Sequence, residues 1–171
     1  MNSSLRAQLV AIAASQLGVR EAGRNSGEQI EEYQRATWLA PGPWPWCAAF
    51  VAWCLREWLE SPAVRAELAL VTERAAEKWR CRDARAYGWE DWAIRRGVLM
   101  LDENAQARAG DIVTYDFSHI GIVASDYSAD FGEKIITIEG NTNGAGAREG
   151  DGVYRKTRDR RLVRKLIRIG G

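Results

Sequence analysis

The hydrophobic pattern changes near Gly110, and that change restricts the fold more than any other feature of the chain. Before it, apolar residues recur at helical spacing. Leu5, Leu9, Ala13 and Leu17 mark one amphipathic helix, with Ser3 or Ser4 as its cap and Gly18 beyond its end. A second helix is expected over roughly 28–37 and a long apolar one over 47–59, stopped at Ser61-Pro62. The following stretch, 63–88, reads as a helix broken in the middle, and "WEDWAIRRG" as a short helix closed by Gly97. After Gly110 come "DIVTYDF", "HIGIVAS", "EKIITIE", "GVYRKT" and "LVRKLIRI". These are short, rich in β-branched residues and separated by turn residues, as strands are. Helices followed by antiparallel strands define an α+β fold, with N-terminal helices packed on a C-terminal sheet.

At 171 residues the chain suits one domain, and no composition break marks a second. Residues 1–171 are therefore expected to form a single domain without a separate appended binding module. The net charge of +1 argues against a general nucleic-acid binder. Charge is uneven, however. Eight Arg/Lys against two Asp give residues 151–171 a net of +6, which leaves −5 for residues 1–150. The basic positions within 155–168 suit either contact with an anionic surface or the solvated face of a terminal strand. "LVAIAA" is too short for the core of a signal peptide, and no run is long enough to span a membrane. Synthesis in the cytoplasm without a signal peptide is expected, with no stable membrane insertion.

The segment "PGPWPWCAAFVAWC", residues 41–54, concentrates three of the four prolines and two of the three cysteines. Pro45 disfavours helix at Trp44, so a helix starting near Trp46 places Cys47 in its first turn. There, free backbone N–H groups and the positive end of the helix dipole favour an anion. An ordinary cysteine with pKa about 8.5 is only roughly 3% thiolate at pH 7. A helix N-terminus beside an imidazolium is the setting that makes such a thiol a nucleophile. Position alone leaves Cys47 equally readable as a small buried hydrophobe.

His119 is the single histidine, so any Cys–His mechanism has one candidate base. It opens the strand "HIGIVAS", and the next strand ends at Glu139. A hairpin turning near Ala129 would set His119 directly opposite Glu139, about 5 Å away. A carboxylate there fixes the imidazole tautomer and supports its charged form. Strand alternation would put Asn141 on the same face, able to orient the ring or donate to an oxyanion. Cys54, seven residues after Cys47, lies about 10.5 Å along the helix, too far for a disulfide. The same spread defeats a zinc site built from Cys47, Cys54, Cys81 and His119. Trp44 and Trp46 flank Cys47 and either wall a substrate groove or pack into the core. Asn25, in the loop before the second helix, is a further candidate to reach the cleft.

Together "PWCAAFVAWC", "GDIVTYDFSHIGIVAS" and "TIEGNTN" resemble the three signature blocks of the CHAP superfamily, the cysteine- and histidine-dependent amidohydrolases/peptidases. The upstream "REAGRNSGEQIEEY" is similar to what precedes the cysteine in a phage-associated branch. The resemblance spans roughly residues 15–143 and implies a papain-like α+β fold that cleaves amide bonds in bacterial peptidoglycan. It implies Cys47 as nucleophile, His119 as base, Glu139 as orienting carboxylate and Asn141 as the polar residue completing the site. Some members bind calcium through an acidic loop before the cysteine. Residues 38–46 contain no carboxylate, so neither a metal nor another cofactor is expected. No side-chain oxyanion donor is identifiable, because Trp46 precedes the cysteine. The function so implied is an N-acetylmuramoyl-L-alanine amidase or peptidoglycan endopeptidase of the phage endolysin kind, a monomer acting on the wall after release or export. A secreted antibacterial amidase effector with an immunity partner and an inert wall-binding module remain alternatives.

Overall fold

A computed structural model describes residues 2–170. Six helices precede most of the sheet: α1 (Ser3–Ser15), α2 (Glu28–Arg35), α3 (Cys47–Leu59), α4 (Pro62–Glu67), α5 (Glu73–Trp79) and α6 (Gly88–Arg96). Six strands follow: β1 (Leu99–Leu101), β2 (Ile112–Tyr115), β3 (His119–Val123), β4 (Lys134–Thr142), β5 (Gly152–Asp159) and β6 (Val163–Arg168). They form one antiparallel sheet in the order β1-β6-β2-β3-β4-β5. The fold is therefore α+β, with N-terminal helices on a C-terminal sheet.

Local signals account for most boundaries. Asn2, rather than Ser3 or Ser4, caps α1 by accepting from the Ser4 backbone N–H at 3.0 Å. Leu5, Leu9 and Ala13 are buried, while Leu17 lies past the helix end and is exposed. Pro62 opens α4 at a position where its missing N–H costs nothing. Gly97, left-handed at φ 63°, closes α6. Strand β1, only three residues long, pairs with β6 and has no counterpart among the sequence-predicted strands.

The central helix α3 organises the core. Ten of its residues are buried, and it packs against α1, α2, β3 and β4. Each fully buried Leu, Val or Phe there contributes about 1.5–3 kcal/mol. Trp58 donates its indole N–H to the Leu5 carbonyl at 2.7 Å, tying α1 to α3. On the sheet side, Ile112, Ile120, Ile122, Ile138 and Ile167 join this cluster. A second cluster, including Val113, Tyr115, Val123, Ile135 and Leu166, uses the alternate strand positions.

The basic C-terminal segment is drawn largely into ion pairs within the chain. Arg168 forms a bidentate pair with buried Asp111, at 2.9 and 2.7 Å. Arg164 reaches Glu90, Arg161 reaches Asp159, Lys165 pairs with Asp102, and Arg158 turns inward to Glu139.

Helix α3 and the residue before it press tightly on the sheet at Gly140. A Cβ there would lie 2.7 Å from both the Phe50 Cβ and the Trp46 Cζ3, nearer than real Cβ atoms come. Gly140→Ala should therefore push α3 off β4 and cost about 1–3 kcal/mol, the usual penalty for overpacking. Urea unfolding checks this; an unchanged midpoint would show that the contact tolerates a methyl group.

Candidate active site

Cys47 is the first residue of α3 and is 7% exposed. Trp46 precedes it as the N-cap and offers no side-chain cap to the helix. Phe50 is the first residue to donate back into the helix, to the Trp46 carbonyl at 2.9 Å, so the N–H groups of Cys47, Ala48 and Ala49 lack helical acceptors. The backbone N–H of Trp46 itself is held from the sheet. With its amide oriented to satisfy its neighbours, Asn141 accepts from that N–H at 3.0 Å and donates to the Gly150 carbonyl at 2.9 Å. Asn141 thus grips the start of the helix that carries Cys47 instead of facing the imidazole. The cause is local. Pairing of β4 with β5 shifts register between Glu139 and Thr142, and Asn141 is left-handed at φ 54°. Simple alternation from Glu139 ends at this bulge.

The register between β3 and β4 also differs by one residue per strand from the sequence expectation. Ile122 pairs with Ile138 and Val123 with Thr137, which places Glu139 opposite Gly121 rather than His119. The connection, with a 3-10 turn at Ala129–Phe131, is centred one residue later than Ala129. Glu139 still reaches His119, diagonally, with its Oε2 3.0 Å from Nε2. Gly121 makes that diagonal possible, because a Cβ there would lie 2.7 Å from the Glu139 Cγ.

His119 and Glu139 are both fully buried. Glu139 accepts from the Tyr115 hydroxyl at 2.9 Å, the Thr137 hydroxyl at 2.7 Å and the Arg158 Nε at 2.9 Å, with Arg158 Nη2 also on Oε2. Burial would raise its pKa, but Arg158 and then His119 outweigh that and hold it down from 4.5 to about 2. Burial likewise opposes a charged imidazole; interactions with Cys47 and Glu139 prevail and raise His119 from 6.5 to about 9. The other ring nitrogen, Nδ1, is buried with no hydrogen-bond partner among the described residues, and the Cys47 thiol interacts with this ring. Phe117 and Tyr115 stack beside the imidazole, with centroids 5.7 and 6.0 Å away. A thiol, an imidazole and an ionised carboxylate in this order can deprotonate sulfur, attack a carbonyl and protonate a leaving amine.

Cys47 opens onto a cleft of about 400 Å³ walled by Trp38, Leu39, Trp44 and Pro45, with Ser118 and Arg148 also lining it. Trp38 is 58% exposed. Trp46 is placed elsewhere. It is fully buried against Tyr33, with its indole N–H donated to Glu21 at 2.7 Å, so it packs the core and lines no part of the cleft. Asn25 is also away from the cleft. It sits left-handed in a buried turn, its backbone N–H held by Glu21 at 2.8 Å, beside a different cavity formed with Gln34 and Pro41. Cys54 and Cys81 are free, buried thiols. Burial pushes Cys81 up to about 12 and Cys54 well above its ordinary value. Among the described residues no group of three His, Cys, Asp or Glu side chains is placed to hold a metal ion. None of the helices described is long and apolar enough to cross a membrane.

Sequence reasoning missed Arg158, Tyr115 and Thr137 around the carboxylate, and Trp38 and Arg148 in the cleft. Thr137 was the most accessible of these, two residues before Glu139 on the same strand and so on the same face. Nothing in "GVYRKTRD" distinguishes the buried Arg158 from its less buried basic neighbours.

The arrangement defines a cysteine–histidine hydrolase type of site. The family model of the CHAP domain matches residues 39–141, more than half of the chain and a span that includes Cys47, His119, Glu139 and Asn141. The chain belongs to the CHAP domain family, and so to hydrolases of the peptidoglycan amidase or peptidase type. No curated protein and no solved structure shows a match to it.

Because His119 is the single histidine, its imidazole signal in proton NMR is unambiguous. Its midpoint should lie near 9 instead of 6.5, and Cys47→Ala should lower it. The sign for stability follows from the raised value. The contribution of the charged ring is complete below pH 6.5 and is lost as pH rises through about 9. A midpoint at or below 6.5 would mean that burial prevails over the two partners.

Proposed function

We propose that this protein hydrolyses an amide bond of bacterial peptidoglycan, as an endolysin-type amidase or endopeptidase. The observation that carries this reading is that Cys47 opens onto the cleft with the buried His119–Glu139 pair behind it. His119 takes the thiol proton, and the Cys47 sulfur attacks the carbonyl carbon. The resulting oxyanion is met by the Cys47 backbone N–H, which has no helical acceptor. His119 then gives its proton to the departing amine, leaving a thioester on Cys47. Water, deprotonated by His119, cleaves the thioester and returns the free thiol and a carboxylic acid.

Glu139 holds the imidazole with Nε2 toward itself and Nδ1 toward sulfur, and stabilises the imidazolium. Asn141 acts one step further back, by fixing the backbone at Trp46 and hence the position of the Cys47 N–H. The protein is made in the cytoplasm and meets its substrate in the wall after release or export.

Purified cell wall incubated with the protein should release soluble fragments, and mass spectrometry of their new termini identifies the bond. A cut at muramic acid makes it an N-acetylmuramoyl-L-alanine amidase; a cut within the stem or cross-link makes it an endopeptidase. Cys47→Ala should reduce release by at least about a thousand-fold, as loss of a nucleophile does. Equal release by both proteins would remove Cys47 from the mechanism, and no release by either would refute hydrolysis of wall.

A further inference from the structure

The cleft beside Cys47 carries one cation that the fold leaves uncompensated. Two guanidinium groups line it, Arg85 and Arg148, and no carboxylate does. Arg85 is neutralised in place by Asp83, through hydrogen bonds of 3.0 and 2.8 Å. The Arg148 guanidinium makes no ion pair or hydrogen bond with another described residue. That contrasts with the C-terminal strands, where Arg158, Arg161, Arg164, Lys165 and Arg168 all engage carboxylates.

Arg148 also sits on a segment braced from several sides. In the connection between β4 and β5, Lys156 donates to the carbonyls of Asn143 and Gly144, at 3.1 and 2.7 Å. Arg158 donates to Gly146 at 2.8 Å, and Thr142 to Ala147 at 2.6 Å. Asn141 holds Gly150. Two of these anchors, Arg158 and Asn141, also hold Glu139 and the start of α3. The segment presenting Arg148 is thus fastened to the same groups that position the triad. An arginine whose backbone is fixed beside a thiol loses less freedom on pairing than one on a loose loop.

We propose that Arg148 is a specificity-determining residue that binds a carboxylate on the substrate strand, close to the scissile amide. The inference rests on the amide-hydrolase reading of the same cleft and names the kind of substrate that cleft takes. The strand lays apolar portions along Trp38 and Trp44 and pairs a free carboxylate with Arg148, which is suited to bidentate carboxylate recognition. A substrate amidated at that carboxylate loses the pairing and binds less tightly.

Two alkylating probes of Cys47 test the charge without any substrate. Iodoacetate and iodoacetamide both form a sulfur–carbon bond and expel iodide, but only iodoacetate carries a carboxylate. Rates are read at the Cys47 peptide by mass spectrometry, as the ratio of iodoacetate to iodoacetamide. Arg148→Gln should lower that ratio about two- to five-fold, Arg148→Lys should largely keep it, and added salt should reduce it in the unmodified protein. The double variant Asp83→Asn with Arg85→Gln removes a pair that is already neutral and should leave the ratio unaltered. In the second arm, wall fragments with free carboxylates are compared with the same fragments amidated by carbodiimide and ammonia. Arg148→Gln should raise KM several-fold for the first and leave kcat and the second unchanged. Equal alkylation ratios in the unmodified protein and Arg148→Gln would overturn the anion site. Equal KM changes for both fragment sets would overturn carboxylate recognition. If the ratio falls but no fragment is cut by the unmodified protein, the anion site stands and the hydrolase reading fails.

Discussion

Glu139 is a carboxylate with no access to solvent, and the rest of the site depends on how the fold compensates it. An isolated buried charge costs several kcal/mol even after relaxation. Here the hydroxyls of Tyr115 and Thr137, the guanidinium of Arg158 and the ring of His119 surround the two oxygens. Three of these partners come from other strands, β2, β3 and β5, so the charge also fastens the sheet. Arg158 has a second consequence. By neutralising part of the charge, it keeps Glu139 ionised while moderating the pull on the imidazole. The ring is left charged by its combined contacts with Cys47 and Glu139, not by the carboxylate alone.

Close approaches permitted by glycine bring the two halves of the site together. Gly140 lets α3 settle against β4 at Trp46 and Phe50, and Gly121 lets the Glu139 side chain cross β3 toward His119. Between them, the bulge at Asn141 turns an amide from the sheet onto the backbone at the helix start. Cys47 is therefore positioned by backbone geometry on both sides, with the sheet acting as a cap that the helix does not carry itself.

Much of this was legible from residue patterns. Pro45 and the apolar run after Trp46 located α3 and put Cys47 in its first turn, where it is found. The lone histidine at a strand start and a carboxylate at the end of the next strand identified the His119–Glu139 pair. The expected register was wrong by one residue per strand, because a 3-10 turn within a connection leaves no clear mark on alternation. The pairing survived because a glutamate side chain reaches diagonally across a glycine. Trp46 could not be separated from Trp44 by position, and only the core around Tyr33 distinguishes them. Arg158 was illegible for a similar reason. The basic residues within 155–168 read as a solvated strand face, and only the pairing of β5 with β4 reveals that Arg158 is buried.

The ionised state of buried Glu139 is the foundation of the site, and its carboxyl carbon can be followed directly by carbon-13 NMR through an acid titration. The signal should remain that of a carboxylate for as long as the protein stays folded, protonating only near pH about 2. Protonation of the folded protein at or above the ordinary value of 4.5 would contradict it, because burial would then outweigh Arg158 and His119.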